Sequence, residues 1–185
     1  GAMAGNALGP SQATKSGIGS ASIDIGGGII VGAIIAVNPF GDIIDPTNGT
    51  IIAGTRSIRK GPIKIGEEAV FANTRDLLKT TIGKTAISFA SSHNTVIGVV
   101  ATNAALDKEE TNFLAQMAQD GLPLAIRPAH TLFDGDTLFA LSTGSHHVDV
   151  NVIGTFAVEV VAQAILNAVR SATLLGGIPS LNELS

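Results

Sequence analysis

The chain has 185 residues, room for one domain with a real hydrophobic core, which excludes a peptide hormone or a knottin. Charged residues are only 14% against roughly 25% in an ordinary soluble domain, and glycine, at 22 residues, is over-represented. With no Cys, Tyr or Trp, disulfides, thiolate catalysis, Cys-based zinc sites and any phenol or indole chemistry from this chain are excluded; the net charge of −4 leaves no basic footprint for nucleic acid.

The mean hydropathy of +0.39 raises the question of a membrane span. The most apolar run, Gly26 to Val37, has 12 residues where about 20 are needed. Val152 to Val169 is longer, but Thr155, Glu159, Gln163 and Asn167 recur every fourth residue and line one narrow polar stripe, the pattern of a helix buried on most sides. No membrane partner is expected. Gly1-Ala2-Met3 is followed by no charged region, apolar core and cleavage site of a leader, so a cytoplasmic location is the expectation.

In chain order, Ser20–Ile25, Ile29–Val37 and Asp42–Asp45 alternate with turn residues and read as a β-meander. Pro46-Thr47-Asn48-Gly49 then leads into a short strand, Thr50–Ala53, through a hairpin in which Asn-Gly supplies positive φ angles. Between Gly54 and His93 lie seven of the 11 Lys and Arg without sustained periodicity. This stretch reads as an excursion with one helix, Glu67–Thr80, and a mobile Ser-rich end where processing is tolerated. Thr95–Ala101 is an unbroken apolar, β-branched run and predicts a central strand shielded on both faces. Asp107 and Glu110 form a capping box for a helix whose apolar face is Phe113, Leu114, Met117 and Ala118, and Gly121-Leu122-Pro123 stops it. A strand over Thr137–Ser142 and a long helix from about Val150 to Thr173 complete an α+β pattern of layers in preference to a doubly wound parallel sheet.

Three places could carry chemistry. At Asn94-Thr95, a polar stretch meets a buried strand at a hydroxyl residue. A cut there would leave Thr95 with its own α-amine, whose reference pKa of about 7.7 to 8.0 lets it act as base to the hydroxyl. An ordinary strand-opening Thr is the alternative. Asp134-Gly135-Asp136-Thr137 places two carboxylates at a Gly-bent strand entry, able to polarise an ammonium and a hydroxyl. A Mg²⁺ site lacks a third ligand nearby, a glycosidase pair lacks an aromatic platform, and a solvated turn remains open. Asn38, fixed at a strand end by Pro39, is a candidate oxyanion donor or a plain turn asparagine. His146-His147 would point to opposite faces of a strand and Gly17-Ile18-Gly19 leads into a strand, so no metal and no cofactor is expected.

The order of these motifs is informative: Lys15-Ser16-Gly17-Ile18-Gly19-Ser20-Ala21, Ala36-Val37-Asn38, the run from Asn94 to Asn103, and Phe133-Asp134-Gly135-Asp136-Thr137. The chain resembles the self-processing aminopeptidases of the L-aminopeptidase/D-esterase type, which include β-peptidyl aminopeptidases and nylon-oligomer hydrolases. The resemblance runs from Gly1 to about Thr173 and is strongest from Asn94 to Gly144. It implies an αββα sandwich of the N-terminal-nucleophile type, autocleavage between Asn94 and Thr95, and two subunits, residues 1–94 and 95–185, that stay packed as one domain. It also implies Thr95 as nucleophile, Asn38 as an oxyanion-side amide, and Asp134 and Asp136 as the acidic group orienting the nucleophile and its amine. The expected activity is hydrolysis of amide or ester bonds in small peptides or amino-acid amides through an acyl-enzyme. Relatives also use a tyrosine from the earlier half of the precursor, so the resemblance implies a missing N-terminal segment as partner. Several carry a Lys in the Gly-rich opening where this chain has Asn6, with Lys15 the nearest base. An ornithine-acetyltransferase-like acyltransferase and a non-catalytic assembly module are the alternative readings. Low charge and the apolar last helix favour a homo-oligomer.

Overall fold

The structure, a computed structural model, describes all residues except 60–63, 67–69, 89–93 and 185. In chain order the strands are β1 (Met3–Ala4), β2 (Thr14–Lys15), β3 (Ile18–Asp24), β4 (Ile30–Asn38), β5 (Asp42–Ile44), β6 (Ile51–Ala53), β7 (Thr95–Ala104), β8 (Ile126–Arg127) and β9 (Thr137–His146). The α-helices are α1 (Thr74–Leu77), α2 (Thr81–Ser88), α3 (Lys108–Gln119), α4 (Gly121–Ala125) and α5 (Val150–Arg170).

Four strands form the main sheet in the order β3-β4-β7-β9, antiparallel except for the parallel pair β7-β9. That pair needs a crossover, which α3 and α4 supply. The expected meander divides, because β5 leaves the main sheet and pairs with β6 and β8 in a separate three-stranded sheet. Gly41 allows this turn: a Cβ there would lie 2.2 Å from the carbonyl oxygen of Pro128.

Period-two alternation decides what each face meets. Val31, Ala33, Ile35 and Val37 of β4 and Val96 and Val100 of β7 point inward and are buried beneath the helical layer, in which α5 covers β3 and β4 and α3 covers β9. The polar stripe of α5 lies outward as its spacing requires, with Thr155, Glu159 and Gln163 exposed and Asn167 donating to the Ser20 carbonyl. By length and hydropathy α5 could cross a membrane, yet 61% of its most apolar window is buried in this fold. At Gly19 the backbones of β3 and α5 touch, since a Cβ would sit 2.0 Å from the Ala164 carbonyl oxygen.

The opposite face of the sheet is apolar and open. Ile18, Ile30, Ile34, Ile97, Phe139 and Leu141 all remain about half exposed or more. β7 is central as expected, but it is shielded on one face only.

Several local expectations are corrected. The helix expected over Glu67–Thr80 begins at Thr74, where the Asn73 side chain caps it by accepting from the Arg75 N–H, and a second helix, α2, follows at Thr81. The mobile end expected there falls largely on residues outside those described. The Asp107/Glu110 capping box forms, but Phe113 turns to solvent and the buried face of α3 is Leu114 and Ala118. Gly121-Leu122-Pro123 opens α4 instead of ending the helical region, which is compatible with proline in a first turn. In the 46–49 turn only Gly49 has positive φ, because the Asn48 side chain accepts from the Thr50 N–H instead of its backbone turning left-handed.

One buried group binds the periphery to the core. Asp42 of β5 is 1% exposed, and its carboxylate accepts from the backbone N–H groups of Thr55 and Thr74 and from the Thr74 hydroxyl. Burial outweighs those hydrogen bonds and pushes its carboxyl up to about 6.

Candidate active site

The antiparallel register of β4 and β7 sets Asn38 directly opposite Thr95, the last residue of one strand against the first of the other. Pro39 bars Asn38 from helical backbone and ends β4. The next residue, Phe40, is fully buried with its ring centroid 5.0 Å from that of Phe133. This ring pair joins the turn after β4 to the turn before β9.

The second turn is shaped by its own side chains. Thr131 accepts the Asp134 N–H on its carbonyl and donates its hydroxyl to Asp134 Oδ2 at 2.6 Å. Asp134 Oδ1 accepts from the Phe40 N–H at 2.8 Å. Asp136 Oδ1 accepts from the Val96 N–H at 2.9 Å, immediately after Thr95, and Oδ2 lies 3.5 Å from His130 Nδ1. Burial raises the Asp136 carboxyl above its ordinary value and the neighbouring Asp134 adds to this, while the Val96 N–H and His130 oppose it. His130 holds its place with a positive φ of 55°.

Asn94 and Asp134 form an isolated parallel bridge that lays this turn alongside the Asn94-Thr95 peptide. The Asn94 carbonyl oxygen accepts from the Gly135 N–H at 3.0 Å and from Thr95 Oγ1 at 2.6 Å. A Cβ at Gly135 would stand 3.2 Å from Thr95 Oγ1. Glycine thus lets the donor and the hydroxyl approach one carbonyl together.

Thr95, Asn38, Asp134, Asp136 and Asn94 therefore come together at one end of the open sheet face. Their contacts differ in detail from those the resemblance implied. The two carboxylates are engaged by the Phe40 and Val96 N–H groups, Thr131 and His130, so they hold the strand ends that carry Asn38 and Thr95. Asn38 Oδ1 accepts from the Met3 N–H at 3.1 Å. Lys15 is buried in β2 with its ammonium on the Ala2 carbonyl. Asn6 reaches the site: its Nδ2 donates to Asn94 Oδ1 at 2.8 Å.

Sequence reasoning missed Gly135 as a donor, and with it Thr131, His130 and the Phe40 N–H. Gly135 was readable only as a bend between two carboxylates, since a backbone N–H leaves no residue-type signal.

Residues 4–180 match the model of peptidase family S58. The chain belongs to that family. This S58 chain is 37% identical over 185 residues to an uncharacterized aminopeptidase of Mycobacterium leprae, covering 90% of this chain and 47% of that protein. It is 34% identical over 191 residues to an uncharacterized aminopeptidase of Mycobacterium tuberculosis, covering 93% and 53%. A 6-aminohexanoate-oligomer endohydrolase of Paenarthrobacter ureafaciens is 28% identical over 159 residues, covering 77% and 41%. Among solved structures, the L-aminopeptidase D-Ala-esterase/amidase of Ochrobactrum anthropi, described as a variant of the Ntn hydrolase fold, superposes with a TM-score of 0.55 at 19% identity, covering 95% of this chain and 47% of that one. The PH0078 protein of Pyrococcus horikoshii gives a TM-score of 0.54 at 21% identity, covering 96% and 47%. The S58 chain thus has the α+β, Ntn-hydrolase-like fold and spans about half the length of the relatives it matches.

Proposed function

We propose that this chain carries the nucleophile of a self-processing aminopeptidase or amidase, and that its own Asn94–Thr95 bond is the first bond it cuts. The observation that supports this most directly is the pair of contacts on the Asn94 carbonyl. A hydroxyl sits on the carbonyl it would attack, and a backbone N–H is already aimed at the oxygen where negative charge develops.

In self-cleavage Thr95 Oγ1 adds to the Asn94 carbonyl carbon through a five-membered ring, and the oxyanion is held by the Gly135 N–H. Collapse breaks the C–N bond, the nitrogen takes the proton that Oγ1 has given up, and Asn94 is left as an ester on Thr95. Water hydrolyses that ester to the Asn94 carboxylate and a free Thr95 with an α-amine. Residues 1–94 and 95–185 then remain together through the β4-β7 pairing.

In turnover the freed amine accepts the hydroxyl proton, Oγ1 attacks a substrate amide or ester, the C–N or C–O bond breaks as the amine or alcohol leaves with that proton, and water hydrolyses the acyl-enzyme. Gly135 N–H and Asn38 Nδ2 supply the oxyanion side. Asp134 and Asp136 keep the β4 and β7 ends in register. The open face carrying Ile34, Ile97 and Phe139 packs against the remainder of the longer polypeptide, completing the second sheet of an αββα sandwich. The half-length match to the relatives supports this partner. The low charge supports assembly of such units into a homo-oligomer.

N-terminal sequencing of the full-length protein's fragments tests this. The proposal expects a new terminus at Thr95, no cleavage in Thr95→Ala, and release of amine from aminoacyl anilides only by cleaved protein. A terminus at another residue, or a cleaved Thr95→Ala protein, overturns it.

A further inference from the structure

The Asn94 side chain is unexplained by self-cleavage, which uses only its carbonyl. Asn94 is nonetheless 3% exposed, and its carboxamide is read at both ends. Oδ1 accepts from Asn6 Nδ2 at 2.8 Å, and Nδ2 approaches the Phe133 carbonyl at 3.4 Å, which fixes which end of the amide faces which. Asn6 is itself held, its backbone N–H donating to the Phe40 carbonyl and that of Gly5 to Gly41. Among the described residues the Oδ1 of Asn6 is buried with no hydrogen-bond partner. A buried acceptor left unsatisfied is destabilising, and the cradle is one donor short while Asn94 occupies it.

The nucleophile and the Gly135 N–H are the same groups in self-cleavage and in turnover. A substrate carbonyl must therefore take the place of the Asn94 carbonyl, after the new Asn94 carboxylate has withdrawn. The side chain of the substrate's acyl residue is then directed to where the Asn94 side chain now sits. Building on the proposed function, we infer that Asn6 and the Phe133 carbonyl select the acyl residue of the substrate, and that the preferred class is amides and esters of residues bearing a short primary carboxamide, asparaginyl amides above all. The acceptor left over on Asn6 matches a substrate that brings additional N–H donors, as a free α-ammonium does and the peptide-bound Asn94 nitrogen does not.

The test uses the full-length cleaved protein and the p-nitroanilides of Asn, Leu and Ala. Leucine matches asparagine in heavy-atom number and branching at Cγ and lacks both hydrogen-bonding ends. The expected ratio of kcat/KM for the asparaginyl over the leucyl anilide is about a hundredfold, short of the 10⁴ to 10⁵ reached where a site built for a polar group rejects its apolar analogue. In Asn6→Leu this ratio falls below about tenfold. An asparaginyl-to-leucyl ratio below about threefold in the unaltered protein overturns the inference, as does a ratio unmoved in an Asn6→Leu protein that still cleaves itself. A second readout is independent of added substrate: Asn94→Leu should slow self-cleavage at least tenfold, and an unchanged rate refutes the cradle. If no anilide is hydrolysed while Asn94→Leu is slow, the turnover reading fails and the cradle stands. If the anilides are hydrolysed without preference, the cradle fails and the turnover reading stands.

Discussion

Gly135→Ala adds one methyl group at a point where the structure states what it will meet. The new Cβ stands 3.2 Å from Thr95 Oγ1 and 3.9 Å from the Asn94 carbonyl oxygen, so the hydroxyl must give way by a few tenths of an ångström. Gly135 is exposed and its φ is not in the left-handed region, so alanine adds no backbone strain there. Stability should change by no more than about 0.5 kcal/mol, as for ordinary surface substitutions. A misplacement of about 1 Å can cost roughly a hundredfold in rate, and loss of a whole oxyanion donor about 10² to 10³. A few tenths of an ångström at the hydroxyl, with the donor retained, should slow self-cleavage roughly tenfold, or about 1.4 kcal/mol in barrier. The assay follows the disappearance of full-length polypeptide on denaturing gels after refolding, with thermal melts of a Thr95→Ala background to compare folding alone. Cleavage within twofold of the unaltered protein, at equal stability, would refute the geometry assigned to Gly135.

Two further outcomes follow from other parts of the structure. Asp42 has a folded pKa of about 6 against the ordinary 3.8, so the folded state holds its proton more tightly; stability is highest below that window and declines as pH rises from about 4 to 6, by roughly 3 kcal/mol in all. Urea melts across this range should show that fall, and Asp42→Asn, though less stable because its amide nitrogen faces the Thr74 N–H, should remove this component; an identical pH slope in both proteins would contradict it. Ile34→Lys on the open sheet face should lower the stability of the full-length polypeptide by at least about 2 kcal/mol if that face is covered as proposed, since an unpaired charge would be buried. An unchanged melting temperature would mean that nothing packs there.

How much could be read from the sequence depended on the range of the interaction involved. The α3 capping box and the polar stripe of α5 are local patterns, and both stand in the structure as read. The β4 and β7 strands were visible from β-branched runs with turn residues at their ends. What failed was non-local. Nothing local to Asp42–Ile44 says that it leaves the main sheet for β6 and β8, because that depends on Gly41 fitting against Pro128. The unbroken apolar run of β7 suggested two covered faces, and composition alone cannot show that one of them is left open here. At the site, Thr95, Asn38 and the two aspartates were picked out by residue type. The Gly135 N–H, the Thr131 hydroxyl and the Asn6-Asn94 contact arise from an Asn94-Asp134 bridge and an N-terminal segment brought in from 88 residues away. Residue type signals a reactive side chain, whereas a backbone donor becomes visible only when the carbonyl it serves is in place.

The most direct measurement is the intact mass of full-length protein purified under native conditions. Two polypeptides, the second beginning at Thr95, with a single uncut chain for Thr95→Ala, are expected. A single continuous chain that hydrolyses amides as well as ever would contradict the central claim that Thr95 reacts as a chain end.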